Sequence, residues 1–216
     1  MLIKRMVIIA VAVLLYSSFA HANLSVGVRL GPGLANVEDQ AEGEDDPFFK
    51  MGLLTGDRVG IYANAFMEIP VQDWFSIVPG IGFSNRGYVV KPRNPMTYDY
   101  ANITFENDYL TFPIHFKVQP SMWAFRPFLQ VGPELGILLT TETKSFSGVS
   151  LELANKFNSF DMGLDFCLGA EMSFGKVTPQ VYAQYYYGLT NAAKDSGDLT
   201  LQNLNVSFML GVKYEL

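Results

Sequence analysis

The side chains that most often carry out enzymatic chemistry are scarce in this 216-residue chain, which has two histidines and one cysteine. A serine-type hydrolase or acyltransferase needs a histidine beside a nucleophile and an acid, and a zinc site needs several histidine, cysteine or carboxylate ligands. Past the N-terminal 22 residues only His115 and Cys167 remain, and one of each builds neither site. We therefore expect no catalytic residues, no metal site and no cofactor.

Polar and apolar residues alternate through most of the chain. In the last segment, 204–216, Leu, Val, Phe and Tyr alternate with Asn, Ser, Gly, Lys and Glu. A period of two predicts a β-strand with one apolar face. Seven other segments share the pattern, so the sequence predicts eight strands, at 24–31, 61–69, 75–84, 110–118, 125–139, 160–174, 177–189 and 204–216.

The predicted connections alternate in length. Short ones lie near 70–73, 119–122 and 175–176, and the long ones lie at 37–58, 89–107, 140–159 and 191–203. Short turns at one end and long loops at the other are typical of bacterial outer-membrane barrels. Both tryptophans adjoin short turns, which predicts an aromatic girdle at the periplasmic interface, formed by Trp74, Phe75, Trp123 and Phe125.

The apolar face of the eight predicted strands contains no Asp, Glu, Lys or Arg. A charge that faces lipid near the middle of a membrane costs about 2–4 kcal/mol, so a lipid environment explains this absence. The pattern predicts an all-β fold, an eight-stranded antiparallel up-and-down transmembrane β-barrel with short periplasmic turns and long extracellular loops. The rival is a soluble lipocalin-like carrier, which would turn its apolar face inward around a ligand.

The polar face carries enough charges of both signs to pair across a narrow lumen. The predicted layer near the short turns contains Glu68, Lys117, Arg126, Glu171, Lys213 and Glu215. The predicted middle layer contains Arg29, His115, Glu134 and Asp165, and the same face carries Arg86 and Asp161. We expect Arg29 to contact Glu134 or Asp165. Because unpaired buried charges cost several kcal/mol, we interpret this network as a structural plug.

The first 22 residues have the features of a secretory signal peptide. Lys4 and Arg5 precede an apolar run of about 11 residues, too short for a spanning helix, and Ala20-His21-Ala22 provides a small-x-small cleavage pattern. We expect cleavage after Ala22, one barrel domain over 23–216, and a location in the bacterial outer membrane. The net charge of −6 argues against a nucleic-acid partner.

Four segments of the predicted strands resemble the PorT-like outer-membrane β-barrel domain, often labelled "porin family", of Bacteroidetes-type bacteria. They are VGIYANAFMEIP (59–70), DYLTFPIHFK (108–117), PFLQVGPELG (127–136) and QYYYGLTN (184–191). The resemblance implies the same barrel fold and location. The implied partners are outer-membrane lipids, lipopolysaccharide, and the barrel-assembly machinery, which would act through the C-terminal strand.

The interior of an eight-stranded barrel is just wide enough to be filled by side chains. We therefore expect a non-enzymatic protein with a structural or surface-interaction role and a plugged polar lumen. A narrow passive channel for ions or small solutes is the alternative, and a lipid-modifying enzyme is a more distant one. The first long loop contains six acidic residues within 38–46, which are either solvated or share divalent cations with lipopolysaccharide phosphates. No extracellular ligand follows from the sequence.

Overall fold

The computed structural model of the chain describes residues 24–39, 53–92, 103–120, 125–145, 157–192 and 201–216. The predicted signal peptide lies outside these residues. The described part of the chain forms nine β-strands: β1 (Ser25–Asp39), β2 (Leu53–Gly56), β3 (Arg58–Gln72), β4 (Phe75–Pro92), β5 (Ile103–Val118), β6 (Phe125–Ser145), β7 (Phe160–Met172), β8 (Val177–Gly188) and β9 (Leu201–Glu215). None of the described segments forms a helix long and apolar enough to cross a membrane.

The strands form one antiparallel sheet that closes on itself. Their order is β4-β3-β1-β9-β8-β7-β6-β5, and the pairing of β5 with β4 closes the circle. The short strand β2 continues the position of β3, because β3 pairs with the first part of β4 and β2 pairs with its last four residues. The barrel thus has eight strand positions, which confirms the predicted eight-stranded antiparallel barrel.

Side chains alternate between the outer surface and the lumen, with the polarity that the sequence predicted. On the outer surface Leu168 is 66% exposed and Leu210 is 70% exposed, whereas Lys117 and Glu134 in the lumen are at most 1% exposed. Apolar residues therefore form a belt around the outside and charged residues line the inside. This orientation is the reverse of a lipocalin-like carrier and rules out that alternative.

One end of the barrel carries the short turns and both ends of the described chain. Ser25 pairs with Glu215 there. At the Asp73–Trp74 turn, the rings of Trp74 and Phe75 are 5.7 Å apart. Phe75 stacks on Phe116 at 6.4 Å, and Phe125 is more than half exposed. These rings lie on the neighbouring strands β4, β5 and β6 at the short-turn end, where the girdle was predicted; Trp123 lies outside the described residues.

At the long-loop end the strands are longer than the sequence indicated. β1, β4, β5, β6, β9 and the whole of β2 extend into ranges that were predicted as loops. Inward and outward side chains continue to alternate there, but the apolar residues now face the lumen and the charged residues face outward. Tyr88 and Phe105 are buried inside, whereas Glu106 and Glu142, which pair across β5 and β6, lie on the outer face. A register shift between Asp108 and Tyr109 also offsets β5 against β6. Water rather than lipid surrounds a barrel above its apolar belt, so a rule that places apolar residues outside misses this part of the strands.

Candidate functional site in the barrel lumen

A cluster of five charged residues fills the lumen at the short-turn end. Its members come from five strands and are Glu68, Lys117, Arg126, Glu171 and Lys213, here called the short-turn ion cluster. Lys117 Nζ lies 3.0 Å from Glu68 Oε1 and 2.8 Å from Glu171 Oε2. Lys213 Nζ lies 2.7 Å from Glu68 and 2.9 Å from Glu171. Each carboxylate is therefore held by two ammonium groups.

Arg126 and Glu215 occupy the mouth of the lumen below this cluster. Arg126 Nη2 lies 3.1 Å from Glu171 Oε1, and its side chain is 30% exposed. Glu215 is half-buried and forms no ion pair with any residue of the described segments. The structure thus brings together five of the six residues expected in this layer. Glu215 differs because it is the last residue of β9, where water solvates a carboxylate without a partner.

Arg29 crosses the lumen above the short-turn ion cluster without reaching a carboxylate. Its Nε donates to Gln180 Oε1 at 3.1 Å, and its Nη1 donates to Gln130 Oε1 at 3.3 Å. The guanidinium carbon lies 3.9 Å from the ring centre of Phe66 and 4.5 Å from that of Tyr182. Arg29 is therefore sandwiched between two rings and bonded to two neutral amides.

The predicted contact of Arg29 with Glu134 or Asp165 is wrong, for a reason that lies in β9. Arg29 pairs across strands with Gly211, and the Arg29 Cγ lies 2.8 Å from the place that a Cβ on Gly211 would occupy. The glycine lets the arginine side chain lie over β9 toward Gln180. A second arginine, Arg86, takes Glu134 instead.

Asp165 and His115 form a separate buried pair at mid-height. His115 Nε2 lies 2.8 Å from Asp165 Oδ2, and Gln184 Nε2 donates to Asp165 Oδ1 at 2.6 Å. Tyr182 OH in turn donates to Gln184 Oε1 at 2.9 Å. The histidine and the carboxylate that were assigned to the middle layer do meet, and amide and hydroxyl groups complete their hydrogen bonds.

Arg86 is the centre of the charge cluster nearest the long-loop end. Its Nη1 lies 2.6 Å from Asp161 Oδ2, and its Nη2 contacts Glu134 Oε1. The guanidinium carbon also lies 3.8 Å from the ring centre of Tyr186, and Tyr62 OH donates to Glu134 Oε2 at 2.8 Å. One fully buried guanidinium is therefore shared by two fully buried carboxylates.

Asp161 is the most completely hydrogen-bonded acid of this cluster. Asn203 Nδ2 donates to its Oδ2, and Thr190 Oγ1 donates to its Oδ1, both at 2.8 Å. With the bond from Arg86, the carboxylate accepts three hydrogen bonds. These charge-assisted hydrogen bonds stabilise the ionised carboxylate in its buried position.

An apolar cluster of buried side chains lies inside the barrel above Arg86. Its buried members are Val37, Tyr88, Val90, Ile103, Phe105 and Leu201, with Phe157 packed against them; we call this set the apolar cap. The Tyr88 and Phe105 rings stack at 4.9 Å, and Phe157 lies 6.1 Å from Phe105. The sequence analysis missed the cap because its residues lie beyond the predicted strands. A continuation of the alternation with inverted polarity is the signal that would have found it.

The two lumen side chains with the most reactive functional groups, His115 and Cys167, are both buried. His115 is 2% exposed and bonded to Asp165, and Cys167 is a buried free thiol that is 1% exposed. Within the described segments no three His, Cys, Asp or Glu side chains come together as metal ligands. Among the lumen amides, Gln180 links Arg29 to Glu171 of the short-turn ion cluster, and Gln184 links Asp165 to Tyr182.

A charged, tightly paired lumen inside an apolar belt is the arrangement of a small outer-membrane barrel. The sequence profile of the family described as "Outer membrane protein beta-barrel domain" matches residues 17–194. The chain belongs to this family. It is therefore an outer-membrane β-barrel protein. A search of curated proteins finds no match.

The fold of this barrel is similar to solved outer-membrane proteins. OprG of Pseudomonas aeruginosa is 14% identical, with a TM-score of 0.52 over 91% of this chain and 97% of OprG. Neisserial surface protein A is 11% identical, with a TM-score of 0.49 over 90% of this chain and 97% of that protein. Ail of Yersinia pestis is 11% identical, with a TM-score of 0.43 over 90% of this chain and 99% of Ail. At these identities the OprG match shows the fold alone.

Proposed function

We propose that this protein is a non-enzymatic component of the outer membrane whose lumen is a structural plug and whose extracellular end contacts the surroundings of the cell. The proposal is supported by buried side chains that pack inside the lumen near both of its ends. The apolar cap lies toward the long-loop end, which we take to be extracellular, and the short-turn ion cluster lies toward the other end. If the lumen is a plug, the protein acts through the outer surface of the barrel and through its loops.

The energetic argument for a plug is the pairing of the lumen charges. Glu68, Glu134, Asp161 and Glu171 are all buried, and each contacts at least one cation. Opening a path would separate these pairs, and breaking a buried pair costs about 3–5 kcal/mol. A passive solute brings no such energy, so the closed lumen is the resting state.

We place the chain in the PorT-like branch of outer-membrane barrels on the four sequence blocks given above. We further propose that its partners are outer-membrane lipids, lipopolysaccharide and the barrel-assembly machinery. The apolar belt supports the first, and the alternating C-terminal strand β9, which pairs with β1 to complete the barrel, supports the last. The predicted signal peptide at 1–22 would deliver the chain to the periplasm.

A narrow channel is the second candidate, because polar side chains run through most of the lumen. From Asp161 to Glu68 each level holds charged or amide groups, and several buried polar atoms lack a hydrogen-bond partner. Such a path would conduct if the ion pairs exchanged partners and the apolar cap opened. The plug and the channel differ in one measurable property, which is conductance.

We expect purified wild-type protein in planar lipid bilayers to give no steady single-channel steps. The matched variants are Glu171→Gln, which weakens the short-turn ion cluster, and Glu142→Gln, which removes an exposed carboxylate outside the lumen. If the lumen is a plug, the wild type and both variants should show no conductance steps, and only Glu171→Gln should have a lower free energy of unfolding. Nanosiemens-scale steps from the wild type, or their appearance in Glu171→Gln and not in Glu142→Gln, would establish the channel.

The proposed orientation can be tested with single cysteines, because Cys167 is buried and serves as an internal blank. Glu142 lies on β6 above the apolar belt, and Lys176 lies in the exposed turn between β7 and β8. We expect a membrane-impermeant maleimide to label Glu142→Cys on intact cells, and Lys176→Cys only after the outer membrane is permeabilised. Labelling of Lys176→Cys on intact cells would contradict this orientation and place the short turns outside the cell.

A further inference from the structure

We propose that one anionic glycerophospholipid binds in an apolar groove on the outer face of the barrel, with an acyl chain along β1 and β3 and its phosphate beside Lys176. This proposal rests on the proposed orientation, because it takes the lipid from the periplasmic leaflet, which consists of phospholipid. The groove crosses β9, β1, β3 and β4 toward the short-turn end, and its volume is about 800 Å³. Ligand pockets in proteins typically measure roughly 300–1,000 Å³, so the groove has the size of a ligand site.

The groove forms where the outward side chains of β3 are shorter than those of its two neighbours. Ala65 pairs with Val28 of β1 on one side and with Ile81 of β4 on the other. Two residues further along β3, Ala63 pairs with Leu30. The longer side chains Val28, Leu30 and Ile81 are all at least half exposed on the outer face, so they stand as walls beside the two alanines. A lipid chain lies in this groove because an unfilled groove would lose van der Waals contacts.

The length of the groove matches one leaflet of a membrane. A second depression continues it along β9, shares Val28, Ala65 and Val212 with it, and reaches Leu210. From Tyr214 to Leu210 the strand rises by about 13 Å, at about 3.3 Å per residue. One leaflet contributes about 15 Å of hydrocarbon. An acyl chain that follows the strand therefore lies in the groove for nearly its whole depth in the membrane.

The short-turn end of the groove carries a cation that is available to a lipid phosphate. Lys176 directly precedes Val177, which lines the groove, and its Nζ lies 5.6 Å from the ring centre of Tyr214, another lining residue. The backbone carbonyl of Lys176 accepts a hydrogen bond from the Glu215 N–H at 2.9 Å, which fixes the turn against β9. Lys176 is exposed and forms no ion pair with any residue of the described segments. Its ammonium group therefore lies at the mouth of the groove.

The ammonium group determines which phospholipid is favoured. Lipid tails are as apolar as the groove, so the acyl chain gains only better packing there. A lysine beside an anionic lipid headgroup contributes about 1 kcal/mol, equivalent to about fivefold in affinity. Phosphatidylglycerol carries a net negative charge, whereas the choline group of phosphatidylcholine cancels the charge of its phosphate. We therefore expect the groove to set the position of the lipid and Lys176 to set the preference for phosphatidylglycerol.

The test is native mass spectrometry of the delipidated barrel in detergent, titrated with phosphatidylglycerol or phosphatidylcholine. We expect the first phosphatidylglycerol to bind about fivefold more tightly than the first phosphatidylcholine. Ala65→Phe places a ring in the groove and should weaken the binding of the first phosphatidylglycerol about tenfold. The matched control Ala183→Phe places the same ring on the outer face of β8, away from the groove, and should leave this binding unchanged. Heat-modifiable migration on gels checks that each variant is folded.

Substitutions of the lysine test the contact with the headgroup. Lys176→Gln should remove the preference for phosphatidylglycerol over phosphatidylcholine, and Lys176→Arg should keep it. Lys144→Gln removes an exposed lysine near the long-loop end, where the side chain is 61% exposed, and should keep the preference as well.

Equal affinities of the wild type for phosphatidylglycerol and phosphatidylcholine would overturn the proposal, and so would equal binding of phosphatidylglycerol by the wild type and Ala65→Phe. Displacement of bound phosphatidylglycerol by an equal concentration of lipopolysaccharide would also overturn it, because the groove would then prefer a lipid of the other leaflet. These measurements use the purified barrel, whereas the plug and the orientation are tested by conductance and by labelling of cells. Failure of the lipid site is therefore distinguishable from failure of the proposed function.

Discussion

Replacing Arg86 by methionine is expected to destabilise the folded barrel by about 3–5 kcal/mol, the largest effect of any lumen substitution. Arg86 is the shared partner of Glu134 and Asp161, and all three side chains are at most 1% exposed. Methionine fills much of the arginine volume but leaves two buried carboxylates without a cation. The measurement is the free energy of unfolding from urea titration in lipid vesicles, read from heat-modifiable migration on gels.

Two variants check that the loss arises from uncompensated charge. Lys144→Met removes a cation that also bonds a carboxylate, with Nζ 2.8 Å from Glu106 Oε2, but its side chain is 61% exposed; we expect a loss below about 1 kcal/mol. The triple variant Arg86→Met, Glu134→Gln, Asp161→Asn removes all three charges and should recover part of the stability. Equal losses for Arg86→Met and Lys144→Met would contradict a buried, closed lumen.

Replacing Leu210 by arginine is expected to reduce the free energy of folding into a lipid bilayer by about 2–4 kcal/mol. Leu210 is 70% exposed on the outer face of β9 and lies near the middle of the apolar belt, which on this strand extends from Leu204 to Tyr214. The guanidinium must then enter hydrocarbon or bend toward an interface. Urea titration of the variant in vesicles, compared with the wild type, measures the cost.

The matched control for this substitution lies on the same face of the same strand. Tyr214→Arg is at the periplasmic edge of the belt, where the cost of an arginine falls to about 0–1 kcal/mol. The difference between the two variants in the free energy of unfolding from vesicles reports the depth of each residue in the membrane. If Leu210→Arg and Tyr214→Arg cost the same, the outer face of β9 is not covered by lipid.

Periodicity in the sequence was sufficient to predict the barrel. The side-chain period of a strand is two, and lipid excludes charge from one face, so the eight segments and their orientation are set locally. For the same reason the residues of the short-turn ion cluster could be grouped in advance: Glu68, Lys117, Glu171 and Lys213 each lie close to a strand end at the same rim. The partners of Lys117 and Lys213 then follow from proximity.

The pairing at mid-height was decided by contacts between distant strands. Arg29 and Arg86 have the same chemistry, and nothing in the sequence around either of them indicates which one meets Glu134. The choice depends on Gly211, whose missing side chain lets Arg29 lie toward Gln180, and on the level at which Arg86 enters the lumen. Both are consequences of strand register, which joins residues that are far apart in the chain.

At the extracellular end, too, the sequence predicted one part of the structure and the folded barrel decided the other. The sequence determined that the strands alternate, that one face is free of charge within the belt, and that the connections at this end are long. Only the folded barrel decided where lipid gives way to water, and therefore where Phe105 turns inward and Glu106 outward. The solvent that surrounds a residue depends on its height in the closed barrel, and height is a property of the assembled sheet rather than of any single strand.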